Sequence, residues 1–185
     1  MAPPGPPPGP PGGAAGASGG APDGLPEGFE ELLLLVGRLT YAWTNTESLL
    51  IHLIAGLARV DKETAVVVFL TLNTTRARVD LVERLAKLER VPPADRRRVL
   101  GLTGELMRLS ALRNRYSHSI YAFDPEGRTA RTILMRISDR KDSIRMGLSM
   151  NLDEGARRDM EAALGDLARL NQGIWSLIRD AGYPA

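Results

Sequence analysis

Leu112-Arg113-Asn114-Arg115-Tyr116-Ser117-His118 closes one kind of pattern in this chain and precedes another. Upstream of it, Leu102, Leu106, Leu109, Leu112 and Tyr116 recur at the three- and four-residue steps of a helix with one buried stripe. Asp95 is placed to cap that helix, and the pattern carries on as far as Ile120. Beyond it the period falls to two. Ile133, Met135 and Ile137 alternate with polar neighbours, and Ile144, Met146, Leu148 and Met150 do the same. Asp124-Pro125-Glu126-Gly127 reads as a turn, with Pro second and Gly fourth, and residues 138–142 read as a hairpin loop. The quoted stretch therefore ends a helical part and introduces a small β-meander.

Working outward, the remaining segments are helical. Val36, Trp43, Leu50, Ile54 and Leu57 define one long stripe, interrupted at Arg59-Val60-Asp61. Asp61 caps a short apolar helix through Val66, Val67, Phe69 and Leu70. Asn73 is the candidate cap of a helix that carries Val79, Val82, Leu85 and Leu88 and stops at Pro92-Pro93. A last helix, about 152–180, carries Met160, Leu164, Leu167, Ile174 and Leu177. The predicted fold is mainly α: a helical bundle of about five helices, with a small antiparallel β-meander inserted before the last one.

The bundle does not start at residue 1. Of the 13 Pro and 19 Gly, 9 Pro and 8 Gly fall in residues 1–26, which hold a single charge and no aromatic residue. Such a segment has too little to bury to offset its ordering entropy, so it reads as a disordered Pro/Gly-rich tail ahead of a domain at 27–185. Its glycines lack the three-residue period of collagen. The chain has no cysteine, which excludes disulfides, thiolate metal sites and thiol nucleophiles. Two well-separated histidines make no recognisable metal set, so neither metal nor cofactor is expected. No run approaches 18 apolar residues, and the amino terminus lacks the basic and apolar regions of a signal peptide. A cytoplasmic protein with no membrane partner is the expectation. Net charge is only +2, but 21 of the 24 basic residues are arginine, the side chain better suited to bidentate phosphate contacts.

Helical geometry gives the quoted stretch its content. At 100° per residue, Arg113 lies within about 40° of Leu102, Leu106 and Leu109, in the middle of the apolar stripe. A charge there needs a partner. Glu47 lies within about 60° of Val36, Trp43, Leu50 and Ile54, so it is the inward-facing acid of the first helix. Glu47 and Arg113 are expected to face each other or to face one shared polar cleft; a structural buried ion pair accounts for the same pattern. His118 points about 140° away from Arg113, whereas Asn114 and His118 share a face. The two can meet only if the helix ends or bends between them, or if a second copy of the chain completes the site across a two-fold axis.

Arg113, Asn114 and His118, with the small Ser117 before the histidine, resemble the signature of the HEPN family (higher eukaryote and prokaryote nucleotide-binding), all-helical bundles marked by an Arg, a polar residue and then a His after a short gap. Residues 27–180 are compatible with that bundle in helix number and size, and the meander and the tail are departures from it. The resemblance implies a metal-independent endoribonuclease acting as a homodimer with a composite active site, of a kind found among toxins and defence effectors. It implies RNA, a second copy and, for a toxin, an antitoxin protein as partners. The residues suit that chemistry. Histidine serves as base or acid near neutral pH, and a fixed guanidinium offsets charge on a five-coordinate phosphate. Asn114 would orient the imidazole or bind substrate, and Glu47 would support Arg113. The alternative is a non-catalytic HEPN-like module that binds a nucleotide, RNA or a protein.

Around this set, Arg76, Arg78, Arg115 and Arg128 are candidates to line an RNA entry groove, although scattered arginines on a solvated helix face explain the same residues and are the favoured reading. Tyr121 is a candidate base-stacking residue, and Tyr116 falls on the core stripe. His52 reads as an exposed or satisfied structural histidine.

Overall fold

The computed structural model describes residues 29–117, 119–123, 130–134, 137–140, 142–146, 149–151 and 153–185. The expected tail at 1–26 lies outside them, as do His118 and Arg128. Among the described residues there are six helices: α1 (Phe29–Ser48), α2 (Leu50–Ala58), α3 (Lys62–Thr71), α4 (Thr75–Ala86), α5 (Pro93–Ser117) and α6 (Glu154–Asp180). Five short strands, β1 (Ser119–Phe123), β2 (Ala130–Leu134), β3 (Ile137–Arg140), β4 (Ser143–Met146) and β5 (Ser149–Asn151), separate α5 from α6. The fold is the expected one, a mainly helical bundle with antiparallel strands before its last helix.

Local chemistry explains where the elements begin and end. Asp61 accepts from the Thr64 N–H at 2.8 Å and Asp153 from the Ala156 N–H at 3.0 Å, so both cap their helices. The cap of α4 is Thr74, not Asn73: its hydroxyl accepts from the Ala77 N–H at 3.1 Å. The long first stripe is divided at Leu49, whose N–H bonds three residues back to the Thr46 carbonyl. Thr40, Thr44, Thr46 and Ser48 all donate to carbonyls of the preceding turn, a habit that bends helices. Across this break the packing partners change, from α6 and α5 for α1 to α3 and α4 for α2. Helix α4 ends at Ala86, earlier than expected. Leu88 is left 37 % exposed, and Val91 enters the core instead.

Helix α5 ends at Ser117, before Ile120, which belongs to β1. The Ser119 hydroxyl donates to the Arg115 carbonyl and closes the last turn, and the β-branched and aromatic run Ile120, Tyr121, Phe123 favours a strand. Strand β1 pairs with β2, and β2 with β5, both antiparallel; β3 and β4 form a separate antiparallel hairpin between them. The hairpin is tighter than expected, because Ser138 and Arg140 are themselves paired, with Arg145 and Ser143. Strand β1 is tied to the bundle through Tyr121. Tyr121 sets its ring edge-to-face on Phe29 at 5.9 Å and donates its hydroxyl to the Tyr116 carbonyl at 3.0 Å.

The core is continuous through the bundle, with Leu39, Leu50, Leu53, Ile54, Leu106, Met160, Leu167, Ile174 and Leu177 almost fully buried. Ion pairs between Arg98 and Asp180 (2.8 Å) and between Arg108 and Asp166 (2.9 Å) brace α5 against α6 at the surface. The arginines hold both aspartates below the usual carboxylate range, chiefly through these hydrogen bonds. No helix among the described residues is long and apolar enough to cross a membrane.

A Schellman motif ends α6. The Tyr183 N–H bonds to the Ile178 carbonyl and the Gly182 N–H to the Arg179 carbonyl, with Gly182 at φ +63°. This turn lays the Tyr183 ring over Gly56, where a Cβ would come within 2.1 Å of the ring. His52 is the satisfied structural histidine of the same corner. Its Nδ1 donates to the Pro184 carbonyl at 2.7 Å, and its ring lies 5.3 Å from Trp175. Gly56→Ala is therefore expected to lower stability by about 1–3 kcal/mol despite alanine's better helix propensity. Urea denaturation of the variant measures this, and Tyr183→Ala in the same background should restore part of the loss.

Candidate functional site

The N-terminal turn of α4, the end of α1 and the later turns of α5 enclose a cleft of about 460 Å³. Glu47 lines it from α1, Asn73 to Arg76 and Arg78 from the α4 turn, and Met107, Ser110, Arg113 and Asn114 from α5. The α5 contribution follows from helical spacing, since Ser110, Arg113 and Asn114 stand at i, i+3 and i+4. Of the residues singled out in the sequence, Glu47, Arg76, Arg78, Arg113 and Asn114 thus meet at one place. The shared polar cleft is the arrangement found.

Glu47 is the hub of the cleft floor. One carboxylate oxygen accepts from the Trp43 Nε1–H at 3.0 Å, and the other from the Thr75 hydroxyl at 2.6 Å and from Arg78 Nη1 at 3.0 Å. Its ion pair is therefore with Arg78, with the two side chains only 9 % and 18 % exposed. Arg78 is no solvated-face arginine. Its Nε donates to the Phe69 carbonyl at 3.1 Å, and its guanidinium lies 4.0 Å from the centre of the Phe69 ring. Every element of this network is a charge-assisted or fully buried contact, the kind that is costly to break.

Arg113 is held differently. Its guanidinium lies 4.9 Å from the centre of the Trp43 ring, the same indole whose N–H is fixed by Glu47. Burial pulls the guanidinium below its ordinary pKa, Glu47 counteracts this, and the Arg78 charge adds to the lowering. The side chain stays cationic at any physiological pH. Glu47 thus acts on Arg113 through charge and through the orientation of Trp43, while Arg78 takes its ion pair. A cation presented from an aromatic face beside a polar cleft is suited to receive an anion.

The α4 turn is built by its cap. Thr74→Ala removes the acceptor of the Ala77 N–H and is expected to cost about 1 kcal/mol, measurable by urea denaturation. A loss of only a few tenths would mean that the turn is held by the Thr75–Glu47 contact instead.

Other expected residues are placed elsewhere. Arg76 lies at the rim, paired with Asp80 at 2.9 Å and largely exposed. Arg115 and Ser117 belong to the last turn of α5 and do not line the cleft. Tyr121 is not an open stacking platform: its ring rests on Phe29, its hydroxyl is bonded to the Tyr116 carbonyl, and burial raises its pKa. Tyr116 is core, 2 % exposed. His118 and Arg128 fall outside the described residues.

Trp43, Thr75 and Ser110 were not singled out as site residues. Trp43 and Glu47 stand at i, i+4, and Ser110 stands at i−3 from Arg113, so helical spacing alone carried a signal for both. Thr75 carried none, because its bond to Glu47 spans 28 residues. Among the described residues no group of three or more His, Asp or Glu is placed to hold a metal ion. Comparison with protein-family models, with curated proteins and with solved structures finds no match to this chain.

Proposed function

We propose that this chain is a metal-independent endoribonuclease of the HEPN type, with the cleft between α1, α4 and α5 as its substrate site. The observation that carries this reading is the convergence on one polar cleft of Glu47, Arg113 and Asn114, the last two standing five and four residues before His118 in the sequence. Arg113, steadied on Trp43, is the phosphate clamp, and Asn114 beside it orients the substrate or the imidazole. His118 is the general base or acid. The 2′-oxygen attacks the adjacent phosphorus and gives its proton to the base; the P–O5′ bond breaks and the leaving oxygen is protonated. The products are a 2′,3′-cyclic phosphate and a 5′-hydroxyl.

A second copy completes the reading, because base and acid then come from two His118 side chains across a two-fold axis. Homodimerisation, a toxin or defence role and an antitoxin partner belong to this proposal. Sedimentation should give twice the chain's mass. Incubating the purified protein with RNA in the presence of chelator tests the activity: cleavage supports it, and RNA binding without cleavage favours a binding module in its place.

A further inference from the structure

The α4 end of the cleft carries features that neither the ion-pair network nor the proposed catalytic residues use. The first N–H groups of a helix have no acceptor within it, and the positive end of the helix dipole lies there. Thr74 takes the N–H of Ala77, which leaves those of Thr75 and Arg76 ahead of it, on the cleft wall. Across the cleft stands Ser110, only 8 % exposed. Its hydroxyl makes no hydrogen bond among the described residues. Thr103, two turns earlier on α5, is buried too, yet donates to the Val99 carbonyl at 3.0 Å. A hydroxyl that forgoes its own helix and meets solvent only at a polar cleft, on a residue otherwise buried, is placed to meet a ligand.

Charge selects the ligand. Glu47 and Arg78 neutralise each other at 3.0 Å, and Arg76 at the rim is paired with Asp80 at 2.9 Å; the lining still presents three guanidinium groups, of Arg76, Arg78 and Arg113, to the one carboxylate of Glu47. Backbone N–H groups at a helix start, a hydroxyl and guanidinium groups are the donor set for an acceptor-only tetrahedral anion.

We infer that the N-terminus of α4, Ser110 and Arg113 form a phosphate subsite, with Arg76 guiding the anion from the rim. The inference rests on the reading of the cleft as an RNA site, in which the occupant is one phosphodiester of the RNA chain. Inorganic phosphate shares the chemistry.

The test is an amide NMR titration of the full chain with inorganic phosphate and, separately, with a short oligoribonucleotide, each against chloride at equal ionic strength. His118→Ala protein is used throughout, so that cleavage plays no part. Saturable shifts of the Thr75 and Arg76 amides are expected with both ligands, and Ser110→Ala should weaken them about tenfold. The exposed Arg76→Ala should weaken the oligonucleotide more than inorganic phosphate. Spectral dispersion shows that each variant is folded. Shifts with inorganic phosphate alone keep the subsite and overturn the RNA reading. Shifts with the oligonucleotide alone keep both, with the diester as occupant. No saturable shift at Thr75 and Arg76 with either ligand, shifts equalled by chloride, or the same affinity in Ser110→Ala, overturns the subsite.

Discussion

Glu47→Ala is expected to destabilise the fold by about 3–5 kcal/mol, a large share of the stability of an ordinary domain. The carboxylate is the acceptor of three donors, Trp43 Nε1, the Thr75 hydroxyl and Arg78 Nη1, drawn from α1 and α4. Removing it leaves the Arg78 charge, 18 % exposed, with the Phe69 carbonyl and ring as its polar and ring contacts among the described residues, and leaves the indole N–H of a 2 %-exposed tryptophan without its acceptor. Glu47→Gln keeps the shape and an acceptor oxygen but not the charge, so about half that loss is expected. In a chain of this length 1 kcal/mol moves the melting temperature by about 2–4 °C, so the alanine variant should melt on the order of 10 °C lower. A shift of less than about 2 °C would mean that Glu47 is solvated in solution and that the cleft floor is not built on it.

The second large effect is on activity. His118→Ala should lower RNA cleavage by about 10²–10⁴-fold, the range for removal of a general acid or base. Arg113→Ala should cost about 10²–10³-fold by removing the clamp on the developing phosphate charge. Arg113→Lys is not expected to rescue it, because an ammonium neither stacks on Trp43 as a planar guanidinium does nor offers a bidentate fork. Urea denaturation separates the two roles of Arg113: a catalytic clamp loses activity far more than stability. Stability loss equal to that of Glu47→Ala, with cleavage intact, would instead make Arg113 a structural cation.

Much of this architecture was legible in the sequence because helices write their burial at a fixed period. The stripes through Trp43, Val82, Leu106 and Leu167 fall in or against the core, apart from Leu88 at the end of the Val82 stripe. The inward direction of Glu47 and Arg113 followed from the same arithmetic, and both line the cleft. The identity of Glu47's partner did not follow, because periodicity fixes which way a side chain points along its own helix and not what stands opposite. Arg78, 31 residues away on α4, takes the ion pair through a helix arrangement that no local pattern encodes. The division of the first helix at Leu49 was hidden for a related reason: the apolar stripe runs through the break, and the hydroxyl back-bonds of Thr46 and Ser48 do not disturb it. Strand β1 was concealed by Ile120, which fits the end of a helical stripe as well as the start of a strand.

The most direct measurement of the central claim is cleavage of RNA by the purified full-length chain in excess chelator, with end-group analysis of the fragments and His118→Ala as the paired control. Fragments bearing 2′,3′-cyclic phosphate and 5′-hydroxyl ends from the parent protein, and none from the variant, are the result the proposed mechanism requires. Cleavage that persists in His118→Ala, or that chelator abolishes in the parent protein, would contradict it.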